Sequence, residues 1–233
     1  GGPSERRAFL DDLLVDLDPR LHATRTEFER VLRQRNTLLR GSGGQLNGGV
    51  GDSLDIWDIK LVEVGETLAA ARRRLVSGLS PLVDEQLGGL SDGRSNASLA
   101  YEESWSGSGL AAALYEARRN DLQRGTTTVG PHRDEVNIIL DGLGARYYSS
   151  QGEQRSLALA MRLAGHHLIT KHTGVDPVVL LDDVFSELDD YRSTALVTLL
   201  PKTQAILTSA GHLPSGVVAD HRYQIIAGRV ESQ

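Results

Sequence analysis

Pro177-Val178-Val179-Leu180-Leu181-Asp182-Asp183 is a short apolar run that ends in two carboxylates. An uninterrupted stretch of valine and leucine reads as a strand buried on both faces, as in a parallel sheet, delivering its last residues to a site. Two adjacent acids at that edge suit magnesium, which takes one or two carboxylates and completes its shell with water and substrate phosphates. The first acid would anchor the metal and the second would orient an attacking water. Taken alone, the run fits equally well a buried strand whose aspartate caps the following loop.

The flanking segments narrow the choice. Ser186-Glu187-Leu188-Asp189 follows at once, in the place of the D-loop of ABC-type ATPases, with Asp182 and Asp183 then forming the Walker B end. Upstream, Ser149-Ser150-Gln151-Gly152-Glu153-Gln154-Arg155 opens a helix. A serine and a glycine at a helix N-terminus leave N–H groups and the positive end of the dipole free for an anion. An ABC signature motif uses that geometry on the nucleotide of the opposite subunit, which makes Ser150, Gln151, Gly152, Glu153 and Gln154 site candidates, with Ser186 and Asp189 of the D-loop.

Further out, the chain divides at Gly125. The first part is helical by its apolar spacing. Ser4 can cap a helix carrying Phe9, Leu10, Leu13, Leu14 and Leu17, and Asp18-Pro19 breaks it. A second helix carries Leu21, Phe28, Val31, Leu32, Leu38 and Leu39, and glycines between 41 and 49 make a flexible tip. From Asp52 the series Trp57, Leu61, Val64, Leu68, Ala71, Leu75 alternates spacings of four and three, the seam of a helical hairpin. Ser80-Pro81 is expected to restart the chain into a short helix ending near Gly88-Gly89, followed by a strand within 97–105 and a helix over 110–122. In the second part, Val136, Ile138 and Leu140 alternate, Asp141-Gly142 is a hairpin turn, and 145–148 is expected to return as a strand. Helices over 153–170 and 187–200 alternate with strands at 178–181 and 204–208, and 223–226 is strand-like. The fold class is therefore α/β, with a largely parallel sheet.

Composition sets outer bounds. The 233 residues carry a net charge of −6 and no cysteine. Disulfides and thiolate metal sites are excluded, and the reducing cytoplasm is compatible. No apolar run approaches the roughly 20 residues of a membrane span, and no signal-peptide pattern opens the chain. A −6 chain lacks the global basic footprint of a simple nucleic-acid binder, so contact with DNA needs a local patch. Candidates are Arg30, Arg33, Arg35 and Arg40, then Arg72, Arg73 and Arg74, then Arg118, Arg119 and Arg124; each cluster also fits the solvated face of an acid-rich helix. His166-His167 lies on an apolar helix and reads as packing or surface.

Thr127-Thr128-Val129-Gly130-Pro131-His132-Arg133-Asp134-Glu135 resembles the diagnostic segment of the RecF family. So do Arg7-Ala8-Phe9-Leu10-Asp11, the stretch Leu32 to Leu39, Trp57-Asp58, Ser150 to Arg155 and Leu181 to Asp189. The resemblance runs along nearly the whole chain. It implies the C-terminal lobe of an SMC-like, ABC-type ATPase head over 125–233, with an inserted helical lid domain over 1–124. It further implies ATP and Mg²⁺ as ligands of the complete protein, homodimers through the heads, double-stranded, gapped or junction DNA, RecR-like and RecO-like mediators and a cytoplasmic setting. The processes are DNA replication, repair and recombination and the SOS response. His132 and Arg133 become candidates for the nucleotide interface or for coupling to DNA.

Several features depart from a working ATPase. No phosphate loop of the form GxxxxGK[ST] occurs in these residues. In RecF that loop precedes the segment at which this chain starts, so the expectation is a fragment that neither binds nor hydrolyses ATP alone. Asp183 stands where many ABC ATPases have glutamate, which predicts slow hydrolysis. Thr208 and Ser209 occupy the place of the histidine that many ABC proteins use at the γ-phosphate, and His212 is displaced. Two other readings stay open: a different SMC-like or ABC-type head, and an interaction module that dimerises without nucleotide.

Overall fold

The computed structural model describes residues 2–211, 213–214 and 216–232. Helix α1 (Pro3–Leu17) begins from Gly2, with Pro3 in the first turn where its missing N–H costs nothing, so Ser4 lies inside the helix and is not its cap. Helix α2 (Leu21–Gly41) follows the break at Asp18-Pro19. Asn47 then caps α3 (Gly48–Ser91), its side chain accepting from the Val50 N–H at 3.0 Å.

The expected restart at Ser80-Pro81 does not occur. Helix α3 runs through Pro81 for 44 residues, about 66 Å at 1.5 Å per residue. Its inner stripe explains why. Leu54, Leu61, Leu68, Leu75, Leu79, Val83, Leu87 and Leu90 are all buried, without interruption across the proline. Burial of that many leucines outweighs the cost of about 3 kcal/mol for one helical proline.

Strand β1 (Ala97–Glu102) and helix α4 (Leu110–Arg124) complete the first part. Strand β2 (Glu135–Leu140) pairs antiparallel with β1, from Ala97↔Leu140 to Glu102↔Glu135. Asp141 and Gly142 both have positive φ, as the tight hairpin turn demands. The return strand, however, is only β3 (Leu143–Gly144), and 145–148 is one helical turn, α5 (Ala145–Tyr148). Ala145 is buried there while Tyr147 and Tyr148 point outward, a helical and not an alternating arrangement.

Helix α6 (Gln151–Thr173) leads to strand β4 (Val179–Asp182). A 3-10 turn (Val184–Glu187) and helix α7 (Asp190–Leu199) then lead to strand β5 (Ala205–Thr208), parallel to β4. Strands β6 (Tyr223–Ile226) and β7 (Arg229–Ser232) form an antiparallel hairpin. The sheet expected to be largely parallel is thus parallel only at β4–β5 among the described residues, the other pairings being antiparallel. One main hydrophobic cluster joins α1, α2, α3, β1, α4, β2, α6 and α7 through residues such as Leu10, Val31, Leu79, Leu110, Val136, Ala160 and Leu196. A smaller one, Leu39, Leu54 and Leu122, closes the far end of the hairpin. No helix among the described residues is long and apolar enough to cross a membrane.

Candidate functional site

The two motif-bearing segments meet at one edge of the molecule. Ser150 caps α6 in a reciprocal box: its Oγ accepts from the Glu153 N–H at 3.3 Å. Glu153 Oε2 in turn accepts from the Ser150 N–H at 2.7 Å and its hydroxyl at 2.8 Å. Gln154 Nε2 donates to the Ser149 carbonyl at 3.0 Å, and Gln151 is exposed. The helix therefore presents an ordered N-terminal turn with Gly152 at its surface.

Asp182 ends β4 with its carboxylate exposed, and Oδ1 accepts from Thr208 Oγ1 at 2.5 Å. Oδ2 is left toward solvent, so one oxygen is oriented and the other free. That donor set fits Mg²⁺ held partly by phosphate. Among the described residues no cluster of three or more His, Cys, Asp or Glu forms a closed cage. Asp183 has φ 47°, a left-handed conformation that costs a non-glycine residue about 1–2 kcal/mol. Five hydrogen bonds hold it there, one of them from the Ser186 N–H to its carbonyl at 3.3 Å. Its N–H donates to the Thr208 carbonyl and hydroxyl, both at 3.1 Å. Its Oδ1 accepts from the Ala210 N–H at 3.3 Å, and its carbonyl accepts from Ser186 Oγ at 2.8 Å. Thr208, placed by sequence at a vacated histidine position, is here the residue that orients both acids. His212 lies outside the described residues.

Asp189 caps α7 by accepting from the Arg192 N–H at 2.8 Å. Arg155, in the first turns of α6, reaches across to Glu187 of the 3-10 turn at 2.9 Å. Sequence reasoning passed over Arg192, which belongs to no motif and carries no local signal. His166 Nε2 contacts the Pro177 carbonyl at 2.9 Å, a packing role that anchors the entry to β4.

The arginine clusters sort by burial, and two members are corrected. Arg35 is fully buried, donating to Asp58 at 2.6 Å, Asp121 at 2.7 Å and Thr127 Oγ1 at 2.9 Å. Arg72 is buried as well, bridging Asp11 twice at 2.7 Å and the Pro131 carbonyl at 2.7 Å. Neither can reach a duplex, because each is committed to joining helices inside the protein. Arg30, Arg33, Arg40, Arg73 and Arg74 are exposed. Arg30 pairs with Glu27, Arg33 with Glu29 and Arg73 with Glu103.

The Gly130–Glu135 segment is mostly interior. The His132 ring packs near Phe28, and its Nε2 contacts the Thr127 carbonyl at 3.0 Å. Burial pushes its pKa down to about 4, so it is neutral at physiological pH. Asp134 is buried beside Tyr101 and Trp105, which donate to it at 2.7 and 2.9 Å; desolvation raises its pKa. Of the pair, Arg133 is the exposed member, and it lines an open cleft of about 460 Å³ with Arg73, Tyr101, Glu103 and Glu135.

No family model matches the chain. It is 41% identical over 247 residues to the DNA replication and repair protein RecF of Streptomyces avermitilis, matching 99% of this chain and 66% of that protein. The RecF proteins of Acidothermus cellulolyticus and an Arthrobacter species are 37% and 34% identical, with 65% and 67% of their lengths covered. Among solved structures, the recombination mediator protein RecF-ATPrS superposes with a TM-score of 0.85 at 30% identity, over 100% of this chain and 64% of that one. RecF-ATP superposes with a TM-score of 0.84 at 30% identity. The chain thus spans about two thirds of the length of the relatives it matches.

Proposed function

The chain belongs to the RecF family, and from that premise we propose that it forms the signature-bearing part of an ATP-dependent, DNA-binding repair ATPase. Residues 1–124 supply its lid and 125–233 its C-terminal lobe, the two sharing the β1–β2 sheet. The observation that carries this reading is the assembly at one edge of Ser150–Gln154, Asp182–Asp183 and Ser186–Asp189, in a chain that superposes along its whole length on a RecF bound to ATP.

In the complete protein two copies face each other. Asp182, oriented by Thr208, would hold Mg²⁺, which when bound would supply charge neutralisation at a phosphate. Asp183, fixed by its hydrogen bonds to Thr208, Ser186 and Ala210, orients the attacking water. The turn at Ser150–Gln154 presents the N–H groups of Gln151 and Gly152, which its capping box leaves unused, to the nucleotide of the other copy. Asp183 is one methylene shorter than glutamate, so turnover is slow, as suits a clamp or timer. DNA, gapped or at junctions, lies against the lid or across the dimer and is held through phosphates by Arg30, Arg33, Arg40, Arg73 and Arg74. Affinity therefore falls with salt. RecR-like and RecO-like mediators and recombinase loading in the cytoplasm complete the proposal.

Labelled ATP tests it. Residues 1–233 alone should bind no ATP, having no phosphate loop. Binding should appear when the remaining third of the family's length is supplied, and Asp182→Asn should then abolish the magnesium dependence. Tight magnesium-dependent binding by the chain alone would overturn the reading.

A further inference from the structure

Arg192 lies outside every motif, yet its guanidinium rests against the turn that opens α6. A methyl group on Gly152 would meet Arg192 Nη1 at 3.1 Å. Gly152 does not have positive φ, so glycine is not required there by the backbone. A side chain there would instead push the guanidinium aside by a few tenths of an ångström. The same guanidinium holds the D-loop, Nη1 donating to Asp189 Oδ2 at 3.0 Å while the Arg192 N–H donates to Asp189 Oδ1 at 2.8 Å. A second tie runs alongside. Arg155 Nε meets Glu187 Oε2 at 2.9 Å, and its Nη1 donates to the Glu187 carbonyl at 3.4 Å. Glu187 ends the 3-10 turn whose Ser186 hydroxyl donates to the Asp183 carbonyl at 2.8 Å. Contacts therefore run without a gap from Asp183, through the loop 186–189, to Arg155, Arg192 and Gly152.

These ties add little to stability. The Arg155 and Glu187 side chains are 43% and 58% exposed, and those of Arg192 and Asp189 30% and 55%. Pairs so open to water barely stabilise a fold. Only Arg155–Glu187 joins the two segments as an ion pair; Arg192–Asp189 lies within the second, and Arg192 meets the first through its approach to Gly152, so what these contacts fix is geometry. We propose that Arg192 and Arg155 are positioning residues that lock the loop 186–189 to the turn 150–155, so that the Asp182–Asp183 site and the turn facing the second copy move as one body. The inference rests on the two-copy reading above. There, Asp182–Asp183 serves one nucleotide and the turn caps the other, so a rigid link within each chain makes the two nucleotide sites interdependent.

The test uses the full-length protein with Arg192→Ala, Arg155→Glu, Glu187→Arg and the charge-swapped pair Arg155→Glu/Glu187→Arg. ATP affinity is read on the dilute monomer, ATP-driven dimerisation by sedimentation velocity, and cooperativity from the steepness of both dimerisation and hydrolysis against ATP. Each single variant should keep monomer ATP affinity within about twofold, while ATP-driven dimerisation weakens roughly five-fold or more and the Hill slope falls toward one. The swapped pair should recover the slope. Wild-type steepness in both Arg192→Ala and Arg155→Glu overturns the proposal. So does an equal loss of monomer affinity and thermal stability that the swapped pair does not repair. A wild-type protein that binds ATP without dimerising overturns the two-copy reading, and the inference with it; one that never binds ATP overturns the nucleotide reading itself.

Discussion

Arg35 has no solvent exposure, and its guanidinium is shared between two carboxylates and a hydroxyl from three different segments of the chain. Arg118 extends the array by meeting Asp58 at 2.7 Å and Asp55 at 2.6 Å. Removing one member of a buried ion pair leaves the rest uncompensated, which costs about 3–5 kcal/mol. Arg35→Ala should lower unfolding stability by that much in denaturant titrations, and Arg33→Ala, whose side chain is 68% exposed, by well under about 1 kcal/mol. Equal effects would refute the sorting by burial. His132 gives a pH signature of defined sign. Its pKa falls from 6.5 unfolded to about 4 folded. Between those values the unfolded chain binds a proton that the folded chain does not. The stability His132 contributes is therefore whole above pH 6.5 and is lost progressively as pH falls toward about 4. At about 1.4 kcal/mol per unit this amounts to roughly 3 kcal/mol. The difference in unfolding free energy between neutral pH and pH about 4 should shrink by up to that amount in His132→Gln. An unchanged slope would place the ring in water.

Helix α3 carries two glycines whose replacement should act in opposite directions. Alanine at an exposed helical glycine stabilises by up to about 1 kcal/mol. A side chain on Gly78 meets nothing within 4 Å, so Gly78→Ala should raise the thermal midpoint. A Cβ on Gly65 would lie 2.8 Å from Leu110 Cδ2 and 3.5 Å from Pro131, so Gly65→Ala should lose about 1–3 kcal/mol by overpacking against α4. Two melting curves decide it, and a gain at both positions would mean that α4 yields freely. Elements of this kind were largely legible in the sequence, because a local period of 3.6 or 2 carries them: α1, α2, α4, α6 and β4 stand near where their apolar spacing places them. What was not legible depends on distant partners. Pro81 reads as a break until the buried stripe on both sides of it is seen. Residues 145–148 alternate acceptably as a strand, yet β2 already has β1 on its long edge and needs no second full partner. Arg35 and Arg72 look like their exposed neighbours, since an arginine's letter is the same beside water or beside a buried aspartate. Arg192 has no signal until Gly152 is found beneath it.

Order in the whole molecule is graded from the helical centre to the β edge. Leu61, Leu79 and Val83 on α3 have no exposure, whereas Leu180 and Ile206, paired in register on β4 and β5, are 70% and 53% exposed. Ile225 and Val230 on the last hairpin are 74% and 68% exposed. Two-stranded sheets are marginal by themselves and depend on a packed face, and here the apolar face of β4–β5 that carries Asp182 meets solvent. Opening of backbone hydrogen bonds follows local burial. Amides of 61–87 should therefore exchange with deuterium only through global unfolding, and those of 205–208 and 223–231 faster by orders of magnitude. The acids of the site then sit at the end of a strand with one face open to solvent, held in place locally by Thr208 and Ser186. In the full-length family protein, protection should rise at 179–182 and 205–208, where Leu180 and Ile206 leave an apolar face uncovered, and stay unchanged along the buried stripe of α3. If protection rose evenly along the chain, the graded order would be a general marginality of the fold. If it failed to rise at β4–β5, the remaining third of the family's length would not complete this sheet, and the assembly of the nucleotide site around Asp182 would have to be sought elsewhere.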